Sequence, residues 1–169
     1  VSSLWQTQLV LSAVELRAWA FTPQSVEHLG AALASTAQSA ERPVIERLMF
    51  DKAEISFAGL GIADLHGEAR LNASGTLQSL SLTSADRSLR IDATAEASGL
   101  AVKAQAIDWL PSQNSAFRFN ALNFQGRLSG KRLTLNNVDF RIFDGSASGS
   151  ALLSEEQRNS LTGELSFDR

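Results

Sequence analysis

Apolar and polar residues alternate along most of the chain, in short runs that are separated by turns containing glycine. In the run at residues 88–97, Leu89 and Ile91 occupy one face while Arg90 and Asp92 occupy the other. A period of two is typical of β-strands that bury one face and leave the other in water. The pattern predicts nine strands, at residues 45–58, 62–74, 77–84, 87–97, 100–109, 116–128, 131–143, 146–153 and 160–168.

Strands at this spacing, with no helices between them, favour an antiparallel meander over a parallel sheet. We therefore expect a mainly β fold, with a strongly curved antiparallel sheet, half-pipe or sandwich-like, and one amphipathic α-helix near the N-terminus. The 169 residues are expected to form a single β-rich domain, 1–169. Because one helix cannot cover the apolar surface of such a sheet, that face either closes into a core or stays partly open.

The helix is predicted at residues 23–37. Thr22 can cap its first turn through the side-chain oxygen, and Pro23 has the backbone angle that a first helical position needs. Apolar residues then recur at helical spacing and form one stripe: Val26, Leu29, Leu33 and Ala37. Residues 1–21, before the helix, alternate as strands, although a helix fits their second half nearly as well.

The segment at residues 122–153 predicts three antiparallel strands, with a change of register inside the middle one. In this middle strand, the apolar residues occupy odd positions up to Leu135 and even positions from Val138 onwards. Successive side chains of a strand alternate between its faces. In a regular strand, this shift would therefore point the apolar residues of one half towards solvent. A β-bulge at residues 136–137 corrects the phase by adding one residue.

Two turns are predicted to connect these three strands. Ser129 and Gly130 form the first, where glycine supplies the positive φ of a tight hairpin. Asp144 and Gly145 form the second, since this dipeptide is a strong hairpin signal. Small residues and serines then alternate at residues 146–153, which predicts a strand with one face of very small side chains.

The sequence LTLNNVDFRIFDGSASGSALL, residues 133–153, resembles the C-terminal repeats of the AsmA-like family, bacterial envelope proteins of the AsmA and TamB type. In those repeats, a strand that ends in an aromatic residue and Asp-Gly is followed by a strand of small residues, and then by a pattern like that at residues 161–165. The resemblance is good from residue 123 to the end, and at residues 62–107 it is limited to the strand rhythm.

This resemblance implies a fold and a setting, since its motifs contain no catalytic residue. It implies a long curved sheet with a hydrophobic groove, anchored in the inner membrane and projecting into the periplasm. The implied role is in envelope lipid transport or outer-membrane homeostasis. The chain has no run of about 20 apolar residues, which a membrane helix needs. We therefore expect it to be a fragment of a longer membrane-anchored protein, periplasmic by this resemblance.

Composition excludes several other classes of function. Charged residues make up 20% of the chain and the net charge is -3, with Lys and Arg scattered among Asp and Glu. No basic face is evident, so nucleic acid is not an expected partner. The chain has no cysteine, which excludes a disulfide framework and a thiol nucleophile.

The remaining polar residues do not form a catalytic or metal-binding pattern. His28 and His66 have no second ligand at metal-binding spacing, so neither a metal nor another cofactor is predicted. The sequence Gly-Ser-Ala-Ser-Gly at residues 145–149 has Ala147 where the nucleophile elbow of a hydrolase has serine. We therefore predict that the chain is not an enzyme.

The predicted function is the binding or conduction of lipid acyl chains by the apolar face. Each buried CH₂ group contributes about 0.8 kcal/mol, so a greasy face suffices without any catalytic group. The candidate groove residues are larger apolar side chains of the predicted strands: Leu80, Leu82, Leu89, Ile91, Leu100, Val102, Phe119, Val138, Phe140 and Ile142. In a closed sheet the same residues would form the core.

The alternative function is a structural or protein-interaction module of an envelope assembly or secretion system. Such a module would pair the edge of its sheet with a strand of a protein partner. The last predicted strand carries Leu161, Leu165 and Phe167 on one face and has few charges to protect it. It is therefore expected to pair with further β-structure.

Overall fold

The computed structural model describes residues 10–22, 44–111, 118–156 and 159–168. These residues form thirteen β-strands, and none of them lies in a helix. The strands are β1 (Val10–Leu11), β2 (Val14–Arg17), β3 (Ala20–Phe21), β4 (Val44–Ile45), β5 (Arg47–Phe57), β6 (Leu60–Leu71), β7 (Leu77–Ser84), β8 (Leu89–Glu96), β9 (Gly99–Trp109), β10 (Phe119–Ser129), β11 (Arg132–Ile142), β12 (Gly145–Ser154) and β13 (Ser160–Asp168).

Eleven of these strands form one large open sheet. Strands β5 to β13 follow one another across it, and each is antiparallel to the next. These strands coincide with the nine predicted ones to within three residues at each end. The prediction of a mainly β, antiparallel fold is therefore confirmed.

The N-terminal part of the chain differs from the expected meander. β2 and β3 run parallel to β5 along its outer edge, and β1 pairs in parallel with β4. A parallel pair needs a crossover of a dozen or more residues, and the long connection between β3 and β4 has that length. The predicted helix at residues 23–37 lies outside the described residues, so the structure gives it no support.

The bulge predicted at residues 136–137 is present in β11. Leu135 is opposite Ala151 of β12 and Val138 is opposite Gly149, so β11 has one residue more than its partner between these two pairs. Leu135 and Val138 are both buried, whereas residues 136–137 are exposed. The bulge therefore keeps both halves of β11 in phase with the core, and the prediction is confirmed.

The two turns that flank β11 are each displaced by one residue from the prediction. Gly130 and Lys131 form the first turn, one residue later than predicted, and Gly130 has the expected positive φ, 55°. The second turn is formed by Phe143 and Asp144, because Ile142 pairs with Gly145, so its prediction was wrong by one residue. Phe143 itself adopts a φ of 55°, which is unfavourable for a bulky side chain. The pairing of apolar positions fixes this turn, since a shift by one residue would expose the buried face of β12.

The sheet rolls up, so that strands far apart in it come into contact. Phe57 and Ala58, at the turn between β5 and β6, pack against a cluster that contains Leu135 and Leu153. The amide of Ala58 also donates a hydrogen bond of 2.7 Å to the carboxylate of Glu155. β5 and β11 are six strands apart in the sheet, which is about 29 Å if the sheet is flat. These contacts therefore require strong curvature.

The inner face of the rolled sheet forms the main core. Its largest fully buried side chains are Leu65, Leu82 and Leu89. The aromatic rings of Phe21 and Phe50 meet edge to face at 4.7 Å, which attaches β3 to this core. The other buried members come from β5, β6 and β8 to β10: Leu48, Ala53, Ala69, Leu71, Ile91, Ala104, Ala106 and Leu122.

The turn between β7 and β8 depends on the carboxylate of Asp86. The hydroxyl of Ser84 donates a hydrogen bond of 2.6 Å to it, and the amide and hydroxyl of Ser88 donate at 3.0 and 2.8 Å. These hydrogen bonds, with that from Ser84 first, lower the pKa of Asp86 below its ordinary value. The ionised form therefore stabilises the folded state.

We expect Asp86→Asn to lower the melting temperature by about 1 to 3 °C at pH 7. The difference should be complete above the ordinary pKa of an aspartate and should disappear as the pH falls through the lower pKa of the folded state. Thermal denaturation across a pH series measures it, with Asp144→Asn in another exposed turn as the control. A difference that grows towards acid pH would contradict this role.

Candidate functional site

Two uninterrupted rows of apolar residues cross the sheet from β2 to β13. Directly paired residues of neighbouring strands point to the same face, so each row can be followed from pair to pair. The first apolar row is Leu16, Phe50, Gly67, Leu82, Ile91, Ala104, Phe124, Val138, Gly149 and Leu165. The second apolar row is Val14, Leu48, Ala69, Leu80, Ala93, Val102, Gly126, Leu135, Ala151 and Gly163. Neither row contains a polar side chain.

The opposite face of the sheet is polar. Glu68, Ser81, Asp92 and Lys103 form one of its rows across β6 to β9. Arg90 donates two hydrogen bonds to Asp92, and the hydroxyl of Ser81 donates a third at 2.7 Å. The hydrogen bonding from Arg90 is the main cause that lowers the pKa of Asp92. The sheet is therefore amphipathic, with the two apolar rows on one face and this polar row on the other.

The exposure of the apolar face rises steeply at one edge of the sheet. Leu82, in the middle, is 0% exposed, whereas Leu165 and Phe167 of β13 are 42% and 72% exposed. All the residues of β13 are exposed, including Leu161 on the same face. The roll of the sheet thus covers the centre of the apolar face and leaves its β13 edge open to solvent.

The candidate groove residues all lie on this apolar face, at different depths. Leu82, Leu89, Ile91 and Val138 are buried. The side chains of Leu80, Val102, Phe119 and Phe140 are half-buried and pack against the main core. Leu100 and Ile142 are also half-buried. The structure therefore brings the ten residues onto one face, but most of that face is filled by its own side chains.

A line of small residues forms a depression in the apolar face next to its open edge. β12 contributes Ala147 and Gly149, which lie between larger residues of β11 and β13, and Ala151, which lies between Leu135 and Gly163. Ala147, for example, is flanked by Phe140 on one side and by Phe167 on the other. The two flanking strands are two strand spacings apart, about 9.6 Å. The result is a shallow apolar trough that follows β12, and we call it the β12 trough.

The exposed wall of the β12 trough was missing from the predicted groove residues. The alternation in the sequence places Leu161, Leu165 and Phe167 on one face of an edge strand. Their exposure depends on where the rolled sheet stops covering its own face, and alternation does not contain that information. The accessible part of the face therefore differs from the part that the sequence indicated.

A surface depression of about 690 Å³ lies on β11 to β13 and differs in chemistry from the trough. Its polar lining consists of amides, hydroxyls and carboxylates: Asn136, Asn137, Asp139, Ser148, Ser150, Glu164 and Ser166. Polar surroundings of this kind favour water over an acyl chain. The depression is therefore not the apolar site.

The described histidine lies on the polar face, where it has an acidic neighbour. His66 lies 2.8 Å from Asp51, Nδ1 to Oδ1, while His28 lies outside the described residues. No three His, Cys, Asp or Glu residues in the described ranges are placed to share a metal ion. Within the same ranges, no helix has the length and apolar character to cross a membrane.

Comparison with known proteins identifies no family for this chain. No protein-family model, curated protein or solved structure matches the chain. The resemblance of residues 133–153 to the AsmA-like repeats therefore stays a prediction. The features of the structure that bear on function are the apolar face and the open edge at β13.

Proposed function

We propose that the chain is a non-enzymatic periplasmic module of the AsmA-like type, whose apolar face binds or conducts the acyl chains of envelope lipids. In this proposal it is part of a larger protein that is anchored in the inner membrane and serves lipid transport or outer-membrane homeostasis. The observation that carries the proposal is the apolar face, whose two apolar rows cross ten strands without a polar side chain and which is open at β13.

The β12 trough is the part of this face that supports acyl-chain binding best. Its floor consists of small residues and its outer wall of Leu161, Leu165 and Phe167, which are exposed to water. An acyl chain laid along it would remove both its own methylene groups and these side chains from water. Each methylene group contributes about 0.8 kcal/mol, so a chain of ordinary length gains enough to be retained.

Lipid that copurifies with the protein tests this proposal. The chain is produced in the periplasm of a Gram-negative host, and solvent extracts are quantified by mass spectrometry. We expect bound lipid, and we expect Phe167→Glu to reduce it at least about fivefold, because a carboxylate in the wall of the trough must be desolvated. Ile107→Glu is the matched control, since Ile107 is 71% exposed on the other face of the sheet and Phe167 is 72% exposed. Lipid-free protein, or equal losses in both variants, would contradict the proposal.

A second candidate function, a protein-interaction module, is supported by β13 as an edge strand. β13 pairs with β12 on one side, and no other described strand pairs with its outer side. An edge of this length with exposed apolar residues is a template for another strand. Lipid-free protein that nevertheless associates through β13 would favour this second function.

A further inference from the structure

β13 is an edge strand that is exposed on both faces. All nine of its residues are exposed, and Leu161, Leu165 and Phe167 belong to neither hydrophobic cluster of the described chain. Its charges are few, with Glu164 and Asp168 in the strand. Edges of this kind are usually shortened, bulged or protected by lysine or proline, and β13 has none of these features.

The opposite edge of the sheet is protected. β2 and β3 cover the outer side of β5 with strands of only four and two residues. Ala18, between them, has a φ of 53°, which interrupts the extended backbone. Short and irregular edges of this kind resist the addition of a strand. Head-to-tail pairing of β13 with β5 is therefore blocked, and copies of the chain cannot add to one another indefinitely.

We propose that two copies of this chain pair through β13, antiparallel to each other, about a two-fold axis that is perpendicular to the sheet and passes through Gly163. An interface between identical surfaces closes after two copies, which agrees with the sheet of the described residues, where the β13 edge is unpaired and the other edge is protected. The axis leaves the apolar faces of both copies on the same side. The two apolar rows then continue across the interface into the second copy.

The sequence of β13 is complementary to itself in this register. Leu161 faces Leu165 of the second copy, so apolar side chains meet on the apolar face. On the polar face, Thr162 faces Glu164 of the second copy. A two-fold axis at Glu164 would instead place two carboxylates opposite each other, which is unfavourable. Glu164 therefore disfavours the register that is centred on itself, and the register centred on Gly163 pairs it with a hydroxyl.

The mass of the chain in solution is the first test. Sedimentation equilibrium should give twice the 18.2 kDa of the chain. Thr162→Glu should weaken the dimer about tenfold, because it opposes like charges at two places in each dimer. Adding Glu164→Lys to that variant should restore dimerisation, since both places then hold ion pairs. Thr134→Glu, on the polar face of β11 and away from the edge, is the control and should change nothing.

Cross-linking tests the register, since the chain has no cysteine of its own. A variant with both Ser160→Cys and Ser166→Cys, which face each other in this register and leave Glu164 in place, should form disulfide-linked dimers on mild oxidation, whereas Ser166→Cys alone should not. Monomeric protein, growth into filaments, or efficient cross-linking by Ser166→Cys alone would each overturn the proposal. The substituted residues lie on the polar face, so this result is independent of whether the β12 trough binds lipid.

Discussion

Deletion of Asn137 is expected to prevent folding, because it removes the extra residue of the bulge in β11. Without that residue, the side chains that follow exchange faces. Val138 and Phe140 would then point to water, and Asp139 and Arg141 would point into the apolar face. Losing two apolar side chains from the core costs about 1.5 to 3 kcal/mol each, and burying two charges costs more. The sum reaches the whole stability of an ordinary domain, about 5 to 15 kcal/mol.

The deletion cannot be absorbed by sliding β11 along its neighbours. If the residues after the bulge keep their register, those before it are inverted, and Leu135 leaves the core. Circular dichroism and thermal denaturation of the deletion variant measure the effect. Asn137→Ala keeps the residue count and replaces an exposed side chain, so it should change stability by less than about 0.5 kcal/mol. A deletion variant that melts like the parent would show that the assigned register is wrong.

The strands and this bulge could be predicted because both determine the order of apolar and polar residues within a few consecutive positions. The change of phase between Leu135 and Val138 is visible within a few residues, and the structure shows the bulge there. A similar change of phase occurs near residues 51–52, and it indicates a second bulge. There the buried positions change from Leu48 and Phe50 to Ala53, and β5 has an extra residue against β6. Lys52 at this point has a φ of 54°.

The roll of the sheet and its parallel edge could not be predicted in this way. The contact of Phe57 with the cluster around Leu135 joins strands that are six positions apart in the sheet. Alternation states which face of a strand is buried, but it does not name the strand that covers it. For the same reason, the sequence of β2 did not reveal that it would pair in parallel with β5.

The same limit explains the outcome for the candidate groove. The sequence placed the ten residues on a common apolar face, and the register of the sheet agrees. Whether a residue on that face is core or accessible depends on the closure of the roll, and so Leu82 is buried while Leu165 is open. The same alternation of apolar and polar residues thus runs along the whole face. The roll of the sheet buries one part of that face as the core and leaves the β12 trough exposed.

Gly67→Ala is expected to be strongly destabilising, although it adds only one methyl group to the first apolar row. A Cβ atom at this position would lie 1.9 Å from the carbonyl oxygen of Ser81 and 2.9 Å from the Cα of Leu82. Both are backbone atoms of β7, so no side chain can move aside to relieve the overlap. β6 and β7 would have to separate where Leu82 is fully buried, and we expect a loss of at least about 3 kcal/mol.

Gly61→Ala, in the same strand, is the matched control. A Cβ atom there would have the carboxylate oxygen of Glu54 at 3.6 Å, an ordinary contact. Alanine in a strand is less costly than glycine, so this variant should be unchanged or stabilised by about 0.5 to 1 kcal/mol. In a domain of this size 1 kcal/mol corresponds to about 2 to 4 °C, so Gly67→Ala should melt at least about 6 °C below the parent. If both variants melt together with the parent, β6 and β7 do not approach each other as closely at Gly67 as the structure places them.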